Sequence, residues 1–387
     1  METLLIIDWL LFIFLGCCVV YLFVYAAASK GYKNKHYRDV EAKGNYLIVF
    51  PAYKEDRVIV DSVRSFLEQD YPSDYFDVMV ISDHMSEETN EAFAQHPIRL
   101  IKASYAESSK AKALALAVDM TKDKSYKAII ILDADNTVEH NFLTCINKVY
   151  EDGHRAIQCR RTGKNSDTDI AKLDSVSEEI NNGIFRRGHN ALKLPAALSG
   201  SGMIFEMDWF RKAVGKLRTA GEDKELECLL LEERIYIEYV NAIPVYDEKT
   251  RQVDAIGNQR KRWMASTFMA LGRTLPGFTP ALLKGNLGYV DKVFQWMLPP
   301  RLVQIGAVML ITIVASVLSP LGAACKWYVL LAMQIAAMIL PIPSEYMTSD
   351  LIKSVFLKIP RLIITTFVNL FHLKGASKRF IHTEHGE

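Results

Sequence analysis

The middle of the chain, from about Gly44 to Asp247, alternates short apolar runs with segments of helical periodicity. Runs rich in β-branched and aromatic residues predict strands at Tyr46–Phe50, Val78–Ser82, Arg99–Lys102, Ala128–Leu132 and Ala156–Gln158. Between them, apolar positions recur every three or four residues and predict helices at Arg57–Gln69, Ser109–Thr121, Asn141–Asp152 and Ile170–Phe185. This alternation is typical of a largely parallel sheet covered on both faces. Such sheets bind ligands beyond the carboxyl ends of their strands.

Uncharged segments flank this α/β region. Trp9–Ala28 is long enough to span a bilayer, which takes about 20 apolar residues. A cleaved signal peptide begins with a basic region, but no Lys or Arg precedes this segment. Four basic residues follow it: Lys30, Lys33, Lys35 and Arg38. By the positive-inside rule, we expect the N-terminus outside and the main domain in the cytosol.

The C-terminal part is again apolar. Leu302–Cys325 and Trp327–Pro343 predict a membrane hairpin that starts and ends on the cytosolic side, with a turn at Ser319–Gly322. Leu351–Leu373 carries polar residues at spacings of three or four and has a kink-prone Pro360. We predict an interfacial amphipathic helix there, with a packed membrane span as the alternative.

These patterns divide the chain into five parts. They are an N-terminal transmembrane anchor (1–30), an α/β domain (44–250), a segment with interfacial helices (251–300), a transmembrane hairpin (301–345), and an amphipathic helix followed by a basic cytosolic tail (350–387).

Composition narrows the class of protein. The 46 Lys and Arg residues nearly balance the 45 Asp and Glu residues, which argues against a nucleic-acid partner. The six cysteines form no C-x-x-C pair or Cys/His cluster, so the sequence predicts no zinc site.

A D-x-D pattern follows the apolar run Ile129–Leu132. Alternate residues of an extended chain share one side, so Asp133 and Asp135 can face one ligand. Two carboxylates suit Mg²⁺ or Mn²⁺ together with substrate phosphates. Taken alone, the pattern fits a solvated turn equally well, and Asp133–Thr137 also fits the D-x-D-x-T nucleophile motif of haloacid-dehalogenase-type phosphatases.

Three other strand ends and helix starts carry candidate donor contacts. Asp83 can accept hydrogen bonds from a base or ribose, Tyr53 can stack on a base, and Glu55 can bind the ribose. Lys110 opens a helix that Ser108 or Ser109 can cap, and this helix start, with Lys110 and Lys112, makes a fair anion site. Each residue by itself also fits an ordinary turn or helix cap.

Two later motifs are candidates for the acceptor side. Glu222-Asp223 precedes an apolar helix, and Asp223 is either its N-cap or a general base for an acceptor hydroxyl. In Gln259-x-x-Arg262-Trp263, the arginine can bind a diphosphate and the tryptophan can stack on a sugar. The same segment also fits a basic juxtamembrane patch with an interfacial tryptophan.

The order of these pieces resembles the family 2 inverting glycosyltransferases with a GT-A fold, which include cellulose, chitin and hyaluronan synthases and ceramide glucosyltransferase. The resemblance covers about Tyr46 to Trp263. It rests on Pro51…Glu55, Asp83, Lys110, Asp133/Asp135, Gln158-x-Arg160, Gly200-x-Gly202, Glu222-Asp223 and Gln259-x-x-Arg262-Trp263. It implies an α/β GT-A catalytic domain with a mostly parallel, Rossmann-like sheet and transmembrane helices at both ends.

The resemblance also implies roles. Asp83 would bind the uracil–ribose part of a UDP-sugar, and Asp133 and Asp135 would hold Mn²⁺ or Mg²⁺ and the diphosphate. Asp223, beside Glu222, would be the base of a single displacement that inverts the sugar. The remaining donor contacts would be Tyr53, Glu55, Lys110, Gln259 and Arg262, and Trp263 would line the acceptor site. We expect the sugar transfer to take place at the cytosolic face of a bacterial inner membrane.

The sequence does not decide which acceptor receives the sugar. The Q-x-x-R-W motif is commonest in polymerising members, which favours polysaccharide synthesis. Few predicted membrane segments favour the alternative, a single addition to a lipid-linked acceptor. The chain departs from the family at Gly221, in place of the threonine of T-E-D, and at Lys112 and Glu206. A further alternative is a sugar or nucleotide sensor on an inactive scaffold, which the intact carboxylates disfavour.

Overall fold

The computed structural model describes residues 2–219, 221–249, 251, 253–318 and 321–371. Its centre is a mixed, mostly parallel sheet in the order β3-β2-β1-β4-β7-β6-β8-β5. β7 runs antiparallel to β4 and β6, and β5 runs antiparallel to β8. The strands are β1 Tyr46–Tyr53, β2 Phe76–Asp83, β3 Arg99–Ala103, β4 Ala128–Ile131, β5 Thr137–Val138, β6 Ala156–Gly163, β7 Met203–Glu206 and β8 Ile237–Asp247.

The α-helices of the described residues lie on both faces of the sheet and in the apolar end regions. They are α1 Glu2–Lys30, α2 Ile59–Leu67, α3 Glu87–Ala92, α4 Lys110–Asp119, α5 Phe142–Glu151, α6 Asp169–Asn181, α7 His189–Ala191, α8 Met207–Val214, α9 Glu222–Glu232, α10 Val253–Thr274, α11 Phe278–Leu283, α12 Leu287–Met297, α13 Arg301–Leu318, α14 Leu321–Ile339 and α15 Ser349–Phe371.

The apolar strands are buried on both sides, as the uninterrupted runs predict. In β1, Leu47 and Val49 belong to one core and Ile48 and Phe50 to the other, and all four are fully buried. Helices α4, α8 and α9 contribute to the first core, and α2 and α5 to the second. The predicted two-faced α/β layer is therefore confirmed.

The helix predicted at Ile170–Phe185 changes type over its last four residues. The α-helix α6 ends at Asn181, and residues 182–188 form a π-helical turn. This wide turn brings Gly183 against Pro341 and Gly188 against the backbone of Tyr25, where no side chain would fit. The α/β domain thus packs directly on α1 and on the residues after α14.

The apolar ends form a helical bundle. Leu5–Lys30 and Arg301–Leu318 have the length and apolar composition that crossing a bilayer requires, and Ala324–Ile339 is a shorter apolar helix. Helices α1, α13 and α14 share one apolar core. Asp8 accepts a hydrogen bond from Trp327 Nε1 at 2.8 Å. Two residues of the predicted hairpin turn, 319 and 320, lie outside the described residues.

Helix α15 is amphipathic in the packed structure. Its Ser354 and Thr366 are buried, whereas Leu357, Ile364 and Phe367 are exposed. Asn369 donates a hydrogen bond to the carbonyl of Gly257 at 3.2 Å, which ties α15 to α10. The end of the predicted segment and its basic tail, from residue 372 onwards, lie outside the described residues.

Candidate active site

One cavity of about 1160 Å³ lies at the carboxyl ends of β1, β2 and β4, between the sheet, α9, α10 and the apolar helices. Every site residue predicted from the sequence lines it: Tyr53, Glu55, Asp83, Lys110, Asp133, Asp135, Glu222, Asp223, Gln259, Arg262 and Trp263. Tyr53, Asp83 and the D-x-D residues share this site because parallel strands end at the same edge of the sheet. Helices α9 and α10 bring the residues from Glu222 onwards to it.

The two carboxylates of the D-x-D pattern lie in a turn rather than on an extended strand. β4 ends at Ile131, and the amide of Asp133 donates to Asn136 Oδ1 at 2.9 Å and to Ser201 Oγ at 3.1 Å. Asp135 Oδ2 accepts the amide of Glu248 at 2.7 Å. The turn is thus held from both sides, and both side chains still line the cavity.

Gln158 and the Gly200-x-Gly202 segment, which match the family in sequence, hold this turn in position. Gln158 is fully buried and donates from Nε2 to the carbonyl of Ser201 at 2.9 Å. Gly200, at φ +87, turns its carbonyl toward Lys110 Nζ at 2.7 Å, a backbone conformation that favours glycine. Lys110 also forms an ion pair with Asp133. These residues act as a scaffold for the carboxylates.

The carboxylates of this region lie close enough to act on one another electrostatically. Burial, followed by the charges of Asp135, Asp133 and Glu248, raises the pKa of Glu55 to about 9. Among the described residues, no group of three or more His, Cys, Asp or Glu side chains is arranged as a metal site. A divalent cation would therefore take Asp133 and Asp135 and complete its shell with phosphate oxygens and water, which fits Mg²⁺ or Mn²⁺.

Asp223 is not the helix cap that the sequence allowed. The N-cap of α9 is Gly221, and Asp223 lies in the first turn. Its Oδ1 accepts the amide of Lys224 at 2.8 Å, and its Oδ2 lies 3.4 Å from Lys224 Nζ. The carboxylate is about one fifth exposed and lines the cavity, where it can accept a proton.

Glu222 lies deeper than Asp223. It is 3.7 Å from Lys110 Nζ, and burial raises its pKa to about 7 against the opposing charge of Lys110. The pKa of Lys110 is raised, because Asp133 and Glu222 outweigh the lowering effect of burial. Lys110 thus joins the D-x-D turn to the start of α9.

Asp83 ends β2 next to Tyr53, which ends β1 in the same register. Asp83 is buried, and its Oδ1 lies 2.6 Å from His84 Nδ1. The ring of His84 meets that of Tyr53 edge-on at 5.6 Å, and His84 has a φ of 56. His84, Lys224 and Glu248 were missed from sequence; the first two adjoin predicted residues, whereas Glu248 follows a strand that was not predicted.

Helix α10 brings its motif to the carboxylates. Burial lowers the pKa of Arg262, and the charges of Glu222, Asp133 and Asp223 oppose that shift. Arg262 is therefore held among the acidic residues, while Trp263 is about one third exposed and lines the cavity. The motif is part of the site and not only a juxtamembrane patch.

The departure at Gly221 has a packing explanation. A Cβ atom at this position would lie 2.8 Å from Ser266 Cβ and 2.9 Å from its Oγ. Helix α10 thus packs against the start of α9 too closely for the threonine of the T-E-D motif. Gly221 and Ser266 together set the distance between the two motifs.

The sheet, the D-x-D turn and the carboxylate on α9 define a GT-A glycosyltransferase. The chain belongs to the glycosyl transferase family group 2, whose family model matches residues 128–340, more than half of its length. This membership excludes the phosphatase interpretation of Asp133–Thr137. No curated protein matches the chain in sequence.

One solved structure supports this fold. The mannosyltransferase PcManGT from Pyrobaculum calidifontis, in complex with GDP-Man and Mn²⁺, is similar with a TM-score of 0.57 at 16% identity, over 93% of this chain and 98% of that one. TarS of S. aureus gives a TM-score of 0.43 at 13% identity, over 85% of this chain and 54% of that one.

Proposed function

We propose that this glycosyltransferase moves a sugar from a UDP-sugar to an acceptor hydroxyl by a metal-dependent single displacement, with Asp223 as the base. The observation that carries the proposal is the position of the Asp223 carboxylate. It comes from α9, is not used as a helix cap, and lines the same cavity as Asp133 and Asp135. A base and a leaving-group site on separate elements allow attack from the face opposite the diphosphate, which inverts the sugar.

The donor half follows from the acidic turn. Asp133 and Asp135 would hold Mn²⁺ or Mg²⁺, and Asp83 and Tyr53, at the ends of β2 and β1, would bind the nucleoside. The ion, when bound, neutralises charge on the leaving diphosphate. The raised pKa of Glu55, which comes from burial and then from the charges of Asp135 and Asp133, is consistent with a cation site at this turn. The complex of PcManGT with GDP-Man and Mn²⁺ is consistent with such a donor.

The other side chains of the site bind and orient the reactants. Arg262 binds the diphosphate through its planar fork of donors, and Lys110, held by Glu222, supports the same group. Asp223 takes the proton from the acceptor hydroxyl as that oxygen attacks the anomeric carbon. Trp263 lines the acceptor side as an exposed stacking surface. Gln259, on the same helix, completes the donor pocket.

The apolar helices support catalysis at a membrane. Residues 1–30 and 301–345 would anchor the chain in a bacterial inner membrane. The 44–250 domain, the 251–300 segment and the 350–387 segment would lie on its cytosolic side. The basic residues after Trp9–Ala28 support this orientation. The direct packing of the π-helical turn on α1 keeps the active site close to the bilayer.

The cavity favours a lipid-linked acceptor over a polymer. From the carboxylates it continues along apolar side chains of α13, α14 and α15, among them Ile305, Met309, Ile335, Met338 and Val355. An apolar slot open to membrane helices suits an acyl or prenyl chain, whereas a growing polysaccharide needs a polar path. We therefore propose one sugar addition to a lipid acceptor, rather than the polysaccharide synthesis favoured by the motif alone.

A release assay tests this function. The full chain in detergent, with membrane lipid extract as the acceptor source, is incubated with UDP-sugars and GDP-mannose, with Mn²⁺ or Mg²⁺. We expect UDP release that needs the metal, and one labelled product extracted into organic solvent. A ladder of water-soluble products would contradict the lipid acceptor, and full turnover by Asp223→Asn would contradict the base. Asp208→Asn, an exposed carboxylate on α8, is the matched control.

A further inference from the structure

Two arginines line the cavity outside the donor machinery. Arg260 lies on α10, and Arg301 is the first residue of α13, where the apolar helices begin. The two guanidinium groups lie close enough for electrostatic repulsion. Like charges in a partly buried space destabilise the protein unless an anion joins them.

The described residues do not neutralise this pair. Arg301 Nη2 donates to Asn181 Oδ1 at 2.8 Å, but its Nη1 is buried without a hydrogen-bond partner among the described residues. Arg260 Nη1 is buried and unpartnered in the same way. Glu178 acts on Arg301 from a distance, but its Oε1 accepts from Arg186 at 2.8 Å.

The charge of Arg260 is only partly compensated. Asp174 acts on it electrostatically, but no ion pair joins Arg260 to an acidic side chain of the described residues. Burial lowers the pKa of Arg260, and Asp174 only partly opposes this. A buried guanidinium without a partner costs several kcal/mol, about the amount that a bound anion can offset.

Arg260 and Arg262 serve different parts of the cavity. They are two residues apart on α10, so their side chains leave the helix about 200° apart. Arg262 is acted on by Glu222, Asp133 and Asp223, whereas Arg260 is acted on by Asp174 and is close to Arg301. An anion bound between Arg260 and Arg301 would therefore be distinct from the donor diphosphate at Arg262.

The surroundings indicate the chemistry of that anion. Leu302 and Ile305, one turn or less beyond Arg301 on α13, line the same cavity, as do Leu351 and Val355 of α15. A phosphate between the arginines would thus adjoin an apolar slot on the side toward the membrane helices. Arginine forks match phosphate oxygens in pairs.

We propose that Arg260 and Arg301 bind the phosphate or diphosphate of a lipid-linked acceptor, which lies between its apolar chain and the hydroxyl that is glycosylated. The chain extends along α13 and α15, and the hydroxyl reaches Asp223 in the shared cavity. This inference rests on the proposed function and names its acceptor class, an anionic lipid rather than a neutral one.

A binding experiment tests the pair without turnover. The full chain in non-ionic detergent is titrated with geranylgeranyl phosphate and, separately, with geranylgeraniol, and tryptophan fluorescence reports binding. We expect the phosphate to bind at least about tenfold tighter, since one charge-assisted contact is worth about 1.5–3 kcal/mol. Arg260→Gln and Arg301→Gln should each remove that difference and leave geranylgeraniol binding unchanged.

Controls separate this idea from the proposed function. Lys353→Gln removes an exposed positive charge on α15 that does not line the cavity, and should bind the phosphate as the wild type does. UDP binding should persist in both arginine variants. Equal binding of alcohol and phosphate, or phosphate binding that survives Arg260→Gln, would overturn the inference, while UDP binding remained intact. If the wild-type protein did not bind UDP, the proposed function itself would be overturned. Among the described residues, no ion pair holds Arg260, so its variant is the one expected to fold normally.

Discussion

The contact between Gly221 and Ser266 gives a quantitative prediction about how the two acceptor-side motifs are aligned. Gly221→Ser adds a Cβ that would lie 2.8 Å from Ser266 Cβ, whereas carbon atoms pack best at about 3.5–4.0 Å. The start of α9 and helix α10 must therefore move apart by about 0.7–1.2 Å. Serine is a good N-cap, so the start of α9 is not weakened by the change itself.

The consequence should appear mainly in the reaction. Arg262 and Trp263 precede Ser266 by about one turn on α10, so the shift carries them away from Asp223. A misplacement of about 1 Å costs about 100-fold in rate, and overpacking costs about 1–3 kcal/mol of stability. We expect kcat/KM for UDP release to fall about 100-fold in Gly221→Ser.

A second substitution makes the test specific. Ser266→Gly removes the atoms that would clash, so the double variant Gly221→Ser/Ser266→Gly should recover most of the activity and of the thermal unfolding midpoint. Gly272→Ala adds a Cβ to the same helix, where no atom lies within 4 Å, and should change neither. Near-wild-type turnover by Gly221→Ser, or no recovery in the double variant, would refute the packing argument.

Three further outcomes are expected. Asp223→Asn should lower kcat by about 100- to 10,000-fold while UDP still binds by calorimetry, because only the proton acceptor is lost; weakened UDP binding would count against that role. Asp135→Asn should raise the Mn²⁺ concentration needed for half-maximal UDP release, and an unchanged metal titration would contradict its role as a ligand. Lys292→Met should lower stability to heat or denaturant by about 3–5 kcal/mol, because it removes a charge 2.7 Å from the buried Glu227. Adding Glu227→Leu should recover much of that loss, and no recovery would exclude the buried pair as the cause.

The grouping of the proposed donor residues in one cavity could be predicted because several of them lie at strand ends. Asp83 and Asp133 come directly after apolar runs, and parallel strands bring such positions to one edge whatever the intervening sequence. The extended conformation expected for the D-x-D pair was wrong, because Asn136 and Ser201 hold the amide of Asp133 in a turn. Ser201 is distant in sequence, so no local pattern could indicate this contact.

Strand β8 shows why other elements could not be predicted. Its Glu238 is fully buried and pairs with Lys35 at 2.7 Å, across more than 200 residues. A glutamate in a short apolar run predicts an exposed position unless its partner is known. Pro244 in the same strand also disfavours a strand in sequence, but it lies in the part where the register with β6 shifts.

The basic cluster before α13 illustrates the same limit for function. In sequence, Arg260 and Arg262 belong to one run of charges, and a juxtamembrane patch accounts for both. Only the helical direction of α10 and the position of Arg301, about forty residues later, separate them into two groups. One group faces the carboxylates of the donor site, and the other faces the start of the apolar slot. Helix periodicity could have predicted the separation, but not that the second group has a cation from α13 beside it. Tertiary packing therefore determines which charges of a motif lie among the carboxylates and which lie at the apolar slot.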